Sequence, residues 1–401
     1  MFPGETMSSM PLIPKQAAIA VADMLDHCAK VKPGMNVLLV AANDGMYGGI
    51  NIVDSEVIAW FHSAIVQRGA DATVIWCDLP IRPTVLWGEG ADPGKAWRVP
   101  PIVANAMKAA DCIISNAVDL TFEEELRETA DILEEYNIPY ARNMATTASL
   151  LTSNWGLTPY ELVSEIRLQA CALALPGAKW VMTHPNGSHI EGYVVKPDDM
   201  DDYGHYRDIG VYRPFPEGVW SSIKARDAEG VGIINEIGVI WARHIGVPCP
   251  FKQPVKVFIE KGQIRKFEGG AEAETLTRFY QFISKHLGDA AYDVRGFHGG
   301  VHPSAILEPH QCPNAPYRHF IEHHHWSSFH FHMGNSRRSK TFPYLMHISA
   351  ELRGGDLKIG DKYVYKDGRI TSADHPKVRA VAARYKDRPG LEPEKWLQTP
   401  R

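Results

Sequence analysis

Six of the chain's eighteen histidines fall between His323 and His347, in the stretch HHHWSSFHFHMGNSRRSKTFPYLMH. Neutral imidazole is the commonest protein ligand of a divalent transition metal, and its ordinary pKa keeps it largely neutral at physiological pH. Within the stretch, Ser328-Phe329-His330-Phe331-His332-Met333 alternates polar and apolar, the period of a half-buried strand. The alternation predicts that His330 and His332 share one strand face while Phe329, Phe331 and Met333 take the other. With His347 on the neighbouring segment, these rings form a cradle for one divalent cation. A single strand histidine is more often a hydrogen-bonded core or surface residue. It is the clustering that points to a metal.

Other groups stand near this stretch in sequence. Gly296-Phe297-His298-Gly299-Gly300-Val301-His302 places two imidazoles among glycines, where backbone can approach a ligand closely. Gly269-Gly270-Ala271-Glu272-Ala273-Glu274 sets two carboxylates after a hairpin and before a helix. Glu272 and Glu274 are therefore candidate metal-facing or acid–base groups, though carboxylates at a helix start are also explained by the helix dipole. His347, Ser349 and Glu351 would share a strand face. Arg337, Arg338 and Lys340 supply fixed positive charge that suits a small anionic substrate, and a solvated loop explains them almost as well. His332, His189 after the Asn186-Gly187-Ser188 turn, and Glu236 are candidates for substrate contact.

The elements that must position these groups fall into two halves. Lys15 to Val31 is helical in period and stops at Pro33-Gly34; Asn36 to Ala41 is a buried strand. Helices at Val53–Arg68, Pro100–Ala110 and Phe122–Tyr136 then alternate with strands at Asp71–Trp76, Cys112–Val118 and Pro139–Met144. That alternation predicts an α/β parallel sheet covered on both faces, a flavodoxin-like domain over residues 1–178. Ala42 to Gly49 is glycine-rich but lacks dinucleotide or Walker spacing, so a nucleotide site is not expected. A helix at Leu157–Leu175 leads to the junction. Residues 179–401 read as a β-rich α+β metal-binding domain. Its strands are expected at Lys179–Thr183, Ile190–Val195, Val219–Ile223 and Gly232–Trp241. Hairpins follow at Val255–Ile264, turning at Lys261-Gly262, and at Asp356–Ile370, turning at Lys366-Asp367-Gly368. Between them Thr275–Leu287 is a helix, and Asp199–Arg213 is a polar surface loop.

With 401 residues, two domains are the default, and 45% hydrophobic with 22% charged residues is the composition of a globular protein. A net charge of -5 and no basic patch interleaved with aromatics argue against nucleic acid. No basic-then-apolar leader and no long apolar run is present, so neither secretion nor a membrane span is expected. The six cysteines lack a C-x-x-C pair and read as buried free thiols of a cytoplasmic protein.

One ordered set of residues resembles a known family. Asp227-Ala-Glu-Gly, Ile259-Glu-Lys-Gly, Gly-Gly-x-Glu272-Ala-Glu274-x-Leu, a glycine-flanked His298 and Ser-Lys340-Thr…His347 resemble the 2,5-dihydroxypyridine 5,6-dioxygenase family. That family is related to the aminopeptidase T metallopeptidases and to 5-nitroanthranilate aminohydrolase. The resemblance is clear over about residues 175 to 370. It implies metal ligands at His298 and His347 and an Asp two residues later, where this chain has Ser349. It also implies a ligand at His330, four residues before Gly334, and homo-oligomeric assembly. Loss of the Asp removes the carboxylate of an iron triad and compromises a two-metal peptidase site. The expected ligands are thus His298, His330 and His347 around one divalent transition metal (Mn, Zn or Fe). The expected chemistry is hydrolysis of a small anionic aromatic by metal-activated water, most concretely replacement of a ring amino group by hydroxyl. The alternatives are an Fe(II) ring-cleaving dioxygenase and an aminopeptidase.

Overall fold

In the computed structural model, residues 12–41, 53–77, 100–116, 127–195, 212–216, 218–220, 223–224, 227–334 and 348–388 are described. His347, Arg337, Arg338, Lys340, the glycine-rich Ala42–Gly49 segment and most of the 199–213 loop lie outside them.

The first half is a five-stranded sheet in the order β2-β1-β3-β4-β7. β1 (Asn36–Ala41), β2 (Asp71–Trp76), β3 (Cys112–Asn116), β4 (Tyr140–Asn143) and β7 (Tyr212–Phe215) pair only in parallel. β1, β3 and β4 are buried almost throughout, as central parallel strands are, although only β1 is a near-continuous apolar run and β4 reads Tyr-Ala-Arg-Asn. Helices Lys15–Asp23, Ser55–Gln67 and Tyr160–Cys171 and the other crossover helices Pro101–Lys108 and Arg127–Tyr136 stand where alternation placed them, with ends shifted by a few residues.

Two antiparallel sheets make the rest. An eight-stranded sheet runs β11-β10-β9-β6-β5-β15-β16-β17. Its strands are β5 (Lys179–Thr183), β6 (His189–Tyr193), β9 (Glu229–Ile234), β10 (Val255–Glu260), β11 (Gln263–Glu268), β15 (Asp356–Ile359), β16 (Lys362–Lys366) and β17 (Arg369–Ile370). Both expected hairpins form at their turns, where Lys261 and Asp367 take positive φ of 50° and 52° ahead of Gly262 and Gly368. A four-stranded sheet runs β14-β13-β12-β8, with β8 (Ile223–Lys224), β12 (Val294–Gly299), β13 (Phe329–Met333) and β14 (Ile348–Glu351). The chain is therefore α/β with a parallel sheet followed by β-rich antiparallel layers.

Two sequence expectations need correction. Gly232–Trp241 is not one strand: β9 ends at Ile234 and Val239–Ile245 is a helix closed by Gly246 at φ 84°. Nor is the first sheet built from the first half alone, since β7 extends it from Tyr212 onwards. Its core also takes Ala305, Leu307, Cys312, Tyr317 and Ile321 from much later in the chain. Turn and strand periodicity is local; which sheet a short strand joins depends on distant partners.

Phe297 lies in the main core between the two antiparallel sheets, 4.5 Å from Trp180 and 5.4 Å from Phe331 between ring centroids. Phe329, Phe331 and Met333 join the same core. Each buried aromatic stabilises by roughly 2–3 kcal/mol, so a one-residue slip of β13 would forfeit several kcal/mol and bury the histidines in apolar packing. The alternation thereby fixes His330 and His332 on the opposite face. All six cysteines are free thiols, and among the described residues no helix is long and apolar enough to cross a membrane.

Backbone crowding at the end of β12 has a measurable consequence. A Cβ on Gly300 would stand 2.1 Å from the His325 carbonyl oxygen and 2.3 Å from the His324 carbonyl carbon. Gly300 N–H also donates to the Ser328 carbonyl, and Tyr365 Oη donates to the Gly300 carbonyl. Gly300→Ala must displace backbone and is expected to cost about 2–4 kcal/mol, read as a lowered thermal midpoint. An unchanged midpoint would contradict this packing.

Candidate metal centre

Antiparallel register brings the chemistry together. His298 on β12 is opposite His330 on β13, while His332 faces Ser349 and His330 faces Glu351 on β14. The rings of His298 and His330 are 4.3 Å apart, those of His298 and His332 4.7 Å, and those of His330 and His332 5.1 Å. One ring nitrogen from each of the three lies within 4.8 Å of the others.

A fourth imidazole comes from the helix Ala315–Glu322. Asn314 caps it, its side chain accepting from Tyr317 N–H, and Tyr317 and Ile321 anchor it in the first core. Tyr317 Oη donates to the Met144 carbonyl just beyond β4. The opposite face carries His319 and, one turn later at the C-cap, His323. His323 Nε2 is 2.9 Å from His330 Nε2, and its Nδ1 is hydrogen-bonded to Glu351 Oε1. Ser328 Oγ donates to the other carboxylate oxygen at 2.9 Å.

The partners settle which nitrogen carries a lone pair. The Trp220 carbonyl can only accept, so His298 Nδ1, 3.0 Å away, is the protonated nitrogen, and a neutral His298 presents a bare Nε2. That Nε2 lies 2.8 Å from His332 Nε2. Glu351 likewise holds the proton of His323 on Nδ1, the carboxylate–imidazole arrangement that orients metal-binding histidines. His330 Nδ1 is buried and has no hydrogen-bond partner. A buried, unsatisfied imidazole nitrogen costs about 1–3 kcal/mol. The bare Nε2 atoms of His298 and His323 meet Nε2 of His332 and His330, and such a set of facing imidazole nitrogens fits a divalent cation.

The electrostatics keep the donors in ligand form. Burial pushes His330 well below the usual histidine range, and neighbouring imidazoles push it further. His332 is lowered by burial too, then by His298, Arg295, His323 and Lys224. For Glu351 burial works upward, but the charge and hydrogen bond of His323, with Arg353 and His319, hold it down at about 2. His319 is the exception. Burial alone would lower it, yet hydrogen bonds with Cys249 and Glu236 and the charge of Glu351 raise it to about 10.

Of the expected site residues, His298, His330 and His332 therefore meet on one sheet face. Glu272 and Glu274 do not join them. Glu272 is buried at the start of the helix Ala271–Leu287, accepting from Lys252 N–H at 3.0 Å, and Glu274 is exposed in the same turn. Their role is that of first-turn carboxylates. His189 stands exposed on β6, 3.3 Å from Glu191. The carboxylates that reach His323 and His319 are Glu351 and Glu236. His319 escaped the sequence reading, and His323 opened the histidine stretch without being singled out as a ligand, although their spacing of four on a short amphipathic helix marks them as one face.

No protein-family model and no curated protein matches the chain. Among solved structures it is similar to 2,5-dihydroxypyridine dioxygenase from Pseudomonas putida KT2440, at 16% identity and a TM-score of 0.61 over 90% of this chain and 98% of that one. AmpT from Thermus thermophilus aligns at 12% identity and a TM-score of 0.49, over 89% and 99% of the two chains. The first likeness gives the fold, and it is the fold that the ordered motifs from Asp227 to His347 led one to expect.

Proposed function

We propose that this chain is a metal-dependent enzyme centred on His298, His330 and His332, and that it hydrolyses the amino group from a small anionic aromatic. One observation carries the reading: three buried imidazoles from adjacent strands bring one ring nitrogen each within 4.8 Å of the others, with the Trp220 carbonyl fixing the tautomer of His298 and burial holding His330 and His332 neutral. A divalent cation in such a site lowers the pKa of water and so supplies hydroxide at neutral pH.

The chain's own residues account for the rest of the reaction, ring–NH2 plus water giving ring–OH plus ammonia. Trp220 O and Glu351 fix the orientation of His298 and His323. Arg295 and Lys224 are buried cations whose charge reaches His332, and positive charge on that side suits a substrate carboxylate. His319 is hydrogen-bonded to Glu236 and Cys249 rather than to this triad. Burial excludes the bulk water that would level these differences.

The test is ammonia release from 5-nitroanthranilate by metal-stripped protein reloaded with Mn²⁺, Zn²⁺ or Fe²⁺. Turnover that requires the ion is the expected result. Absence of ammonia with every ion would end the hydrolase reading.

A second reading rests on a different set of atoms. His323, His330 and Glu351 also come within 4.8 Å of one another, two imidazoles and one carboxylate, the donor set of non-haem Fe(II) oxygenases. Ring cleavage of a dihydroxypyridine would then consume oxygen in strict dependence on ferrous iron. An oxygen electrode separates the two readings.

A further inference from the structure

Next to the imidazole face stands a second group of unlike donors. Glu236 follows β9, Cys249 follows the helix Val239–Ile245, and His319 projects from the helix Ala315–Glu322. Cys249 Sγ is 3.9 Å from His319 Nε2, and the same nitrogen is 3.1 Å from Glu236 Oε2. One donor atom from each lies within 4.8 Å of the others, and all three side chains are partly buried. Arg353 holds the remaining carboxylate oxygen of Glu236 at 3.2 Å, which leaves Oε2 turned toward the ring and the sulfur.

We infer that Glu236, Cys249 and His319 form a second binding site, for a zinc-like divalent transition metal ion. The donor types carry the inference. Thiolate, imidazole and carboxylate together are the ligands of a borderline-soft ion, and three protein donors leave one position of a tetrahedron open. Without an ion, Glu236 pairs with His319 and Arg353 while Cys249 Sγ donates to the Ile237 carbonyl at 3.5 Å, so the same three donors stand together in either state. A cation takes the place of the proton that His319 and Glu236 now share, and it uses the sulfur as well. The two sites are built on common elements. His319 lies one turn before His323, Glu351 N–H donates to the Glu236 carbonyl, and Ile237 bridges to Ala350 on β14. Nothing in this inference depends on which reaction the first site performs.

Cobalt titration of the metal-stripped full chain tests it, because thiolate-to-cobalt charge transfer gives an intense near-ultraviolet band that imidazole ligands alone do not. The expected result is uptake of two cobalt ions with that band present. Cys249→Ser and His319→Gln should each lose the band and one equivalent while keeping the other equivalent and the native circular dichroism. Saturation without the band, or a band undiminished in Cys249→Ser, would each overturn the site; one ion with the band would instead remove the imidazole centre. All of these readouts are taken without turnover, so they stand or fall separately from the hydrolase assay.

Discussion

His330→Ala is expected to reduce divalent-metal affinity by more than about 100-fold and to remove metal-dependent turnover with it. His330 is opposite His298, 2.9 Å from His323 and within ligand distance of His332, so it belongs to both groups of donors that could close around an ion. Glu351→Gln supplies the graded comparison. It leaves every imidazole in place but weakens the hold on His323 Nδ1 and on Ser328. Loss of such an orienting carboxylate costs about 10–100-fold in affinity. The order His330→Ala worse than Glu351→Gln worse than native should appear in equilibrium dialysis, with folding checked by circular dichroism. Native-like metal retention by His330→Ala would place the centre elsewhere.

The second large effect is loss of stability in acid. His302 is lowered to about 3, chiefly by burial and then by His325. His325 is lowered to about 4, chiefly by burial and then by Arg353. Both stay neutral in the folded chain while the unfolded chain protonates them near the ordinary value of 6.5. Below that pH the unfolded state binds more protons, so their contribution is present above 6.5 and is lost as pH falls toward about 4 and 3. These two residues alone remove on the order of 5 kcal/mol by pH ~4, comparable with the whole stability of many domains. His330 and His332 act in the same direction. Glu351 adds a loss between its ordinary 4.5 and about 2. His319 acts oppositely: its contribution is complete below 6.5 and disappears as pH rises through about 10. Urea midpoints should therefore peak near neutrality and drop steeply by pH ~4.5, with a shallower drop in alkali. His302→Gln should flatten the acid limb. A midpoint independent of pH between those limits would refute the buried neutral histidines.

Features that depend on neighbours along the chain were legible in the residues themselves. The period-two run at Phe329–Met333 placed His330 and His332 together on one face, because a strand that buries Phe329 and Phe331 has no other face for its histidines. Lys261-Gly262 and Asp367-Gly368 fixed the two expected hairpin turns, and alternation of apolar strands with helices gave the parallel sheet. Convergence across long sequence gaps came from packing between elements. Glu272 and Glu274 stand close to His298 in sequence yet serve a helix start, while Glu351 and Glu236 reach the imidazoles from elsewhere. Strand register set His298 against His330, and one short helix, anchored by Tyr317 and Ile321 in the core of the other sheet, carried His323 to His330 and His319 to Glu236 and Cys249. Ligation requires side chains to meet within a few ångströms, and that distance is a property of packing between elements, on which periodicity within any one of them is silent.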